Sequence, residues 1–231
     1  MSQNGDLYKP NQELLNRRDR DLTMKNGLLL IGGRTTKNNT DEQENGEEEE
    51  PSVLQASPEE RVIRVFGPVD HTMSFTIWCA LEAFATDNQD EEITLLINSL
   101  GGSAHDMFAI ADAMGLCPAP IRTIGTGIVA SAATLIVASG TPGRRFLTNS
   151  CMVMTHDLQW GYYTNLSELQ TVAEAGKKME SRYHKMMARR CGKTLKEIRP
   201  HLEGQGNWME AREAIKKVGV ADSILPKREL W

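Results

Sequence analysis

Ser131 lies in Ile121–Gly140, IRTIGTGIVASAATLIVASG, a segment otherwise made almost wholly of small and apolar residues. Taken alone, a hydroxyl between Ala130 and Ala132 is most often a small residue that lets helices pack closely. Its other use is as a nucleophile. If the chain turns there from strand to helix, free N–H groups at the helix start favour developing negative charge. Acyl transfer also needs a base in hydrogen-bond reach and donors aimed at the oxyanion. His156 closes the apolar run CMVMTH, at a strand end, where functional groups collect in open α/β sheets. His71 and His105 compete for that role, whereas His184 and His201 fall in charged helical surface. The glycines of NSLGGS (Asn98–Ser103) let backbone approach a substrate and can point N–H groups into a cleft, although Gly-Gly equally makes a plain β–α turn. Glycine pair, serine and histidine in succession, each following a strand, are less readily accidental than any one alone.

The elements that must position these groups follow from hydrophobic periodicity. ERVIRVFGPV reads as a strand ending in a Gly-Pro turn, and MSFTIWCALEAFATD as an amphipathic helix. EEITLLINS is a near-continuous apolar strand, the pattern of a parallel strand covered on both faces. GGSAHDMFAIADAMGLC is a helix opened by glycines, and IRTIGTG a strand leading into the Ser131 helix. RRFLTNSCMVMTH reads as a strand pair ending at His156, and Leu166–Cys191 as a long charged helix. TLKEIRPHL is a short helix; NWMEAREAIKKVGVADSIL gives a helix stopped at Gly219 and a last strand. Strands alternating with helices imply an α/β fold with a mostly parallel sheet.

Composition narrows the function classes. With 231 residues the chain holds one sizeable domain and an appendage. A net charge of −5 argues against nucleic acid as a partner. No apolar run approaches the ~18 residues of a spanning helix, so no membrane association is expected. The N-terminus lacks a signal-peptide layout, and Cys79, Cys117, Cys151 and Cys191 form no CxxC pair. They read as reduced thiols of a cytoplasmic protein, with no metal and no cofactor implied. The segment Asn38–Pro51, NNTDEQENGEEEEP, is acidic and lacks large apolar residues. It reads as a flexible linker (about 38–51) within an N-terminal arm, 1–58, preceding a domain at 59–231. Within the arm, NGLLLIGG could be one short strand or a docking segment.

LLINSLGGSAHDMFAIADAM, IGTGIVASAATLIVASGTPGRRFLTNSCMVMTH and the late GVADSIL together resemble the Clp protease proteolytic subunits (ClpP), a family of serine peptidases. The resemblance runs from about Glu59 to Leu225. It implies a ClpP/crotonase-like spiral of ββα units with a mostly parallel sheet and a long handle helix, Leu166–Cys191. It further implies a homo-oligomer of stacked rings, usually heptameric, or a mixed ring with paralogues. An ATP-driven AAA+ unfoldase would feed unfolded polypeptide to sites inside. Carried over by position, Ser131 matches the nucleophile, His156 the general base, and the backbone N–H groups of Gly102 and Ala132 the oxyanion hole.

Three departures qualify the likeness. Ser131-Ala132-Ala133 stands where the family has Ser-Met-Gly, which a backbone donor tolerates. Leu100 replaces the proline before the glycine pair, loosening a φ restraint. The third triad member, an aspartate before an aromatic residue, is missing: GQGNW occupies the place, with Gln205 reached by counting from His156 and Gly206 by counting back from Trp208. Gln205 or Asn207 could supply an amide acceptor without charge; Asp157 and Glu203 are the nearby carboxylates. A carboxylate-to-amide change in a serine triad costs about 10⁴ in turnover when the wrong tautomer is selected.

The reading that follows is a serine endopeptidase of a self-compartmentalised ring. Its competitors are a catalytically weak or silent ring subunit and a stand-alone viral capsid maturation protease of the same fold. An acyl-CoA hydratase or isomerase of the crotonase superfold ranks last, since it requires neither Ser131 nor His156. Organelle stroma or the cytoplasm of a virus-infected cell are the other compartments compatible with such forms.

Overall fold

The computed structural model describes residues 60–159 and 165–227, together with short strands at 22–25, 28–31 and 56–57. The acidic run at 38–51 lies outside the described residues. In the arm, β1 (Leu22–Lys25) and β2 (Leu28–Ile31) pair as an antiparallel hairpin, so the apolar stretch LLLI is one half of a two-stranded unit. β3 (Ala56–Ser57) pairs antiparallel with β4 (Val62–Phe66), on the edge of the main sheet.

From β4 onward strands and helices alternate: α1 (His71–Asp87), β5 (Ile93–Ser99), α2 (Ala104–Leu116), β6 (Ile121–Ala130) and α3 (Ala132–Ala138). β7 (Arg145–Leu147), β8 (Met152–Thr155), α4 (Leu169–Arg190), α5 (Leu195–Leu202), β9 (Asn207–Glu210), α6 (Ala211–Lys217) and β10 (Ser223–Ile224) complete the chain. The sheet is mostly parallel, in the order β10-β7-β6-β5-β4-β3, with β8 on β6 and β9 on β8. The fold is α/β.

Local chemistry explains the helix starts. Asp70 caps α1 by accepting from the Met73 N–H at 2.8 Å, and Ser103 caps α2 by accepting from Asp106 at 3.3 Å. Thr194 and Glu197 form a reciprocal capping box at the start of α5. The β-branched runs of β4 and β5 bury Ile63, Val65, Ile93, Leu95 and Ile97 completely, against Ile77, Ile110, Leu135 and Ile136 of the covering helices.

β6 decides where the site forms. Its first half, Thr123–Gly125, pairs with β7; its second, Ile128–Ala130, pairs with β8. The strand changes neighbours at Gly127, whose φ of +59° suits glycine and whose Cβ position lies 2.9 Å from Asn98 Oδ1. Asn98 Oδ1 accepts from the Ile128 N–H at 3.1 Å, and β5 bulges between Ile97 and Ser99 at the same level. One side chain thus staples the fork.

The sequence expectations need four corrections. β7 and β8 do not pair with each other; both are parallel partners of β6, because the fork gives each its own stretch of ladder. The expected helix from Asn207 begins only at Ala211: Asn207–Glu210 is β9, antiparallel to β8, where tertiary pairing overrides the helical leaning of its residues. β5 is covered fully on one face only, with Thr94, Leu96 and Asn98 half-buried on the other. His184, expected on charged surface, is 3% exposed, because it turns inward from α4 beside Tyr183. Among the described residues no helix is long and apolar enough to cross a membrane.

Candidate active site

The register Ala130↔Met154 ends the β6–β8 ladder, and the Ser131 N–H extends it by donating to Met154 O at 2.8 Å. This brings the residue after β6 level with the end of β8. His156, two residues past Met154, returns to the same side of the strand. Ser131 Oγ and His156 Nε2 meet at 2.7 Å.

Ser131 occupies the N-cap of α3 yet caps nothing. A serine there ordinarily accepts from an amide in the first turn. Here the hydroxyl is committed to His156 and satisfies no first-turn amide. The residue also carries φ +54° and ψ −122°, one of two positive-φ non-glycine residues among those described. Such a conformation costs about 1–3 kcal/mol and survives only where neighbours over-determine it. Met154 O holds its N–H, while the Thr134 N–H (3.0 Å) and Thr134 Oγ1 (2.6 Å) both donate to its carbonyl.

The glycine pair supplies the facing wall. Gly101 has φ +94°, and a Cβ there would lie 2.7 Å from both Ala130 O and Ser131 Cβ. Gly102 forms a parallel bridge with Val69: Val69 donates to Gly101 O at 2.9 Å and accepts from Ser103 at 2.7 Å. In that arrangement the Gly102 N–H points away from Val69. Neither it nor the Ala132 N–H has a hydrogen-bond partner among the described residues. Both residues line a cleft of about 400 Å³ that Ser131 and His156 share. The α3 helix is only seven residues long, so its orphan amides matter more than any summed dipole.

Ser99, which sequence reasoning missed, holds the glycine loop. Its hydroxyl donates to Gly67 O at 2.5 Å and accepts from the Gly101 N–H at 3.0 Å. Its type gave no signal, since a serine ending an apolar strand resembles any turn residue.

The third position is where sequence and structure part. Asn207 pins the end of α5: its Nδ2 donates to His201 O at 3.1 Å and Glu203 O at 2.9 Å, while its Oδ1 stays available as an acceptor. Asp157 accepts from the Gly204 N–H at 2.8 Å, and Glu203 is ion-paired to Arg199 at 3.2 Å. Gln205 lines the cleft with His156, carried there by the Asp157–Gly204 clamp. No carboxylate bonds His156 Nδ1 among the described residues. Gly206, at φ +148°, has room for a Cβ but not the backbone conformation that one prefers.

The other histidines do not enter the cleft. His71 opens α1 with its ring exposed, 3.7 Å from Asp106, and His105 is exposed on α2. His184 is buried with Nε2 unpartnered among the described residues, and the His201 carbonyl serves Thr155 and Asn207. No disulfide joins the four cysteines among the described residues; burial pushes Cys151 up to about 11 and Cys191 up to about 12, so neither is a thiolate at neutral pH.

Remote from the cleft, a partly buried ion pair fastens the frame. Arg145, in β7, is gripped by Asp222, whose carboxylate accepts from Arg145 Nε at 3.1 Å and from its backbone N–H at 3.0 Å. Burial alone would raise the Asp222 carboxyl, but the Arg145 hydrogen bonds and charge outweigh it and hold it below the usual carboxylate range. The same guanidinium reaches Ala138 O at the end of α3 and Arg190 O at the end of α4.

This geometry offers a hydroxyl, a base in contact with it and a pair of unpaired amides across a cleft, the parts of an acyl-transfer site. Comparison with known proteins agrees in kind. The family model described as Clp protease matches residues 45–228. The ATP-dependent Clp protease proteolytic subunit of Streptococcus mutans serotype c is 33% identical over 174 residues, 74% of this chain and 88% of the relative. Proteins of the same description from Streptococcus uberis and Streptococcus pyogenes serotype M5 are each 32% identical over the same shares.

Proposed function

Because the chain belongs to the Clp protease family, we propose that it is a serine endopeptidase acting on unfolded polypeptide. The observation that carries this reading is the 2.7 Å contact between Ser131 Oγ and His156 Nε2, within the reach a general base needs. In that role Nε2 is unprotonated and Nδ1 carries the ring proton. Ser131 Oγ attacks a peptide carbonyl carbon as its proton passes to His156 Nε2. The tetrahedral oxyanion is met by the Gly102 and Ala132 N–H groups. Collapse breaks the C–N bond, and the leaving amine takes the proton from His156. Water, deprotonated by the same histidine, then hydrolyses the acyl-enzyme.

Gln205 is the acceptor for His156 Nδ1–H in this scheme, supported by its place in the wall of the cleft that His156 lines. An amide holds the tautomer without stabilising the imidazolium by charge, so turnover is slow. The relatives are proteolytic subunits of an ATP-dependent protease, which supports assembly into homo-oligomeric or mixed rings fed by an ATP-driven unfoldase.

Incubation with a fluorophosphonate followed by peptide mapping tests the reading. Label is expected at Ser131 and lost in His156→Ala; an unlabelled Ser131 in the assembled protein refutes it. The missing carboxylate favours one competitor, a silent ring subunit that contributes structure while other subunits cut. A homomeric assembly that degrades casein excludes that competitor.

A further inference from the structure

A hydroxyl chain runs from the long helix to the carbonyl of the proposed nucleophile. Thr134 Oγ1 lies 2.6 Å from Ser131 O and 3.4 Å from Tyr183 Oη. A threonine hydroxyl has one proton and lone pairs to spare. The Ser131 carbonyl can only accept, so the Thr134 proton goes there. Tyr183 must then be the donor to Thr134, which fixes the direction: Tyr183 O–H to Thr134 Oγ1, and Thr134 O–H to Ser131 C=O. Both side chains are withdrawn from water, Thr134 fully and Tyr183 to 3% exposure. Burial pushes the phenol up to about 12, so it remains a donor at neutral pH. In such surroundings each bond polarises the next.

We propose that Tyr183 is a positioning residue for Ser131. Through Thr134 it fastens the strained nucleophile turn to α4, while its ring forms part of the wall of the same cleft. Three observations meet here. Ser131 holds a positive φ that needs external restraint. Its carbonyl is the only backbone acceptor that Thr134 Oγ1 serves among the described residues. Tyr183 is the only α4 residue that lines the cleft. A Thr hydroxyl bonded back to the i−3 carbonyl is by itself an ordinary helix-terminal contact. The distant phenol behind it makes the restraint tertiary: how α4 is seated bears on how Ser131 is held.

The proposal rests on the peptidase reading and makes a demand of its own. Tyr183→Phe keeps the ring against the cleft and removes only the donor. We expect kcat, and the rate of fluorophosphonate capture at Ser131, to fall about twofold, the low end for a hydrogen bond, because the 3.4 Å contact is long for O–H···O. KM should stay within twofold, because the wall is intact. Thr134→Val should show a loss at least as large, and the Tyr183→Phe, Thr134→Val pair no more than Thr134→Val alone, since both break one chain. Amide exchange at Thr134, whose N–H bonds Ser131 O, should quicken in Tyr183→Phe with the global melting unchanged.

If the wild-type protein captures fluorophosphonate at Ser131 but Tyr183→Phe does so at the same rate, or if the two losses simply add, the positioning role is wrong and the peptidase reading stands. If wild type captures none, the peptidase reading fails. The tether is then judged by exchange alone: faster exchange at Thr134 supports it, and unchanged exchange overturns it.

Discussion

Replacing Gly101 by alanine separates backbone strain from collision with the nucleophile turn. The new Cβ would sit 2.7 Å from Ala130 O and Ser131 Cβ and 2.9 Å from Ala132 N. Carbon contacts relax at about 3.5–4.0 Å, so one side of the cleft must retreat by about 1 Å. The φ of +94° adds about 1–2 kcal/mol for an L-residue, and the forced repacking about 1–3 kcal/mol. The sum, about 2–5 kcal/mol, is below the ~5–15 kcal/mol that holds a typical domain, so the fold persists. Catalysis is less forgiving: a misplacement of about 1 Å at reacting groups costs about 10² in rate. Gly143→Ala is the control, since Gly143 has φ +83° with nothing within 4 Å of a Cβ. Initial rates on a fluorogenic peptide, alongside thermal melting, should show a roughly hundredfold loss for Gly101→Ala. Gly143→Ala should lower the melting temperature and leave the rate intact. A Gly101→Ala protein within threefold of wild-type activity would mean that the glycine loop does not bear on Ser131 as described.

Three further outcomes are expected. Gln205→Glu places a carboxylate beside His156 and should raise kcat about tenfold or more by stabilising the imidazolium; an unchanged or lower rate in stopped assays argues that Gln205 is not the Nδ1 acceptor. Ser99→Ala removes the link between Gly67 O and the Gly101 N–H and should lower peptide turnover about tenfold, with melting reduced by the ~1–3 kcal/mol of an unsatisfied buried group. Asp222, depressed in the folded state, adds stability that is complete above its unfolded value near ~4 and declines as pH falls through the lower folded value. Urea titrations at pH 7 should therefore show Asp222→Asn weaker by about 1 kcal/mol, the partly exposed carboxylate being screened by solvent, with the difference shrinking towards pH 3; a constant gap removes the linkage.

The α/β order and mostly parallel sheet are legible because β4, β5 and β6 are β-branched runs separated by well-capped amphipathic helices. Ser131, His156 and the glycine pair stand out through residue type against an apolar background. What the sequence hides is set by tertiary contact. β9 is written in residues that also suit a helix, and only the open edge of β8 makes Asn207–Glu210 a strand. His184 shares a polar-looking helix with Lys185 and Arg182, and periodicity alone does not say which way the ring turns. Asn207 and Gln205 are both amides near the right spacing, and only tertiary contact puts Gln205 in the cleft and ties Asn207 Nδ2 to the carbonyls of His201 and Glu203. Ser99 and the Arg145–Asp222 pair join segments far apart in the chain, a distance no local pattern spans.

The parallel ladder between β6 and β8 has a consequence for how such a site wears under mutation. Ser131 and His156 are gauged by the Ala130↔Met154 register, so their spacing is inherited from sheet geometry and is insensitive to the lengths of the loops around it. The partner position belongs to a different assembly, the short turn through Gly204 and Gly206, held by Asp157 and Asn207. Changes there leave the nucleophile and its base in contact. If Gln205 serves His156 as proposed, that corner can exchange carboxylate for amide while Ser131 and His156 keep their alignment, which makes turnover adjustable without rebuilding the fold.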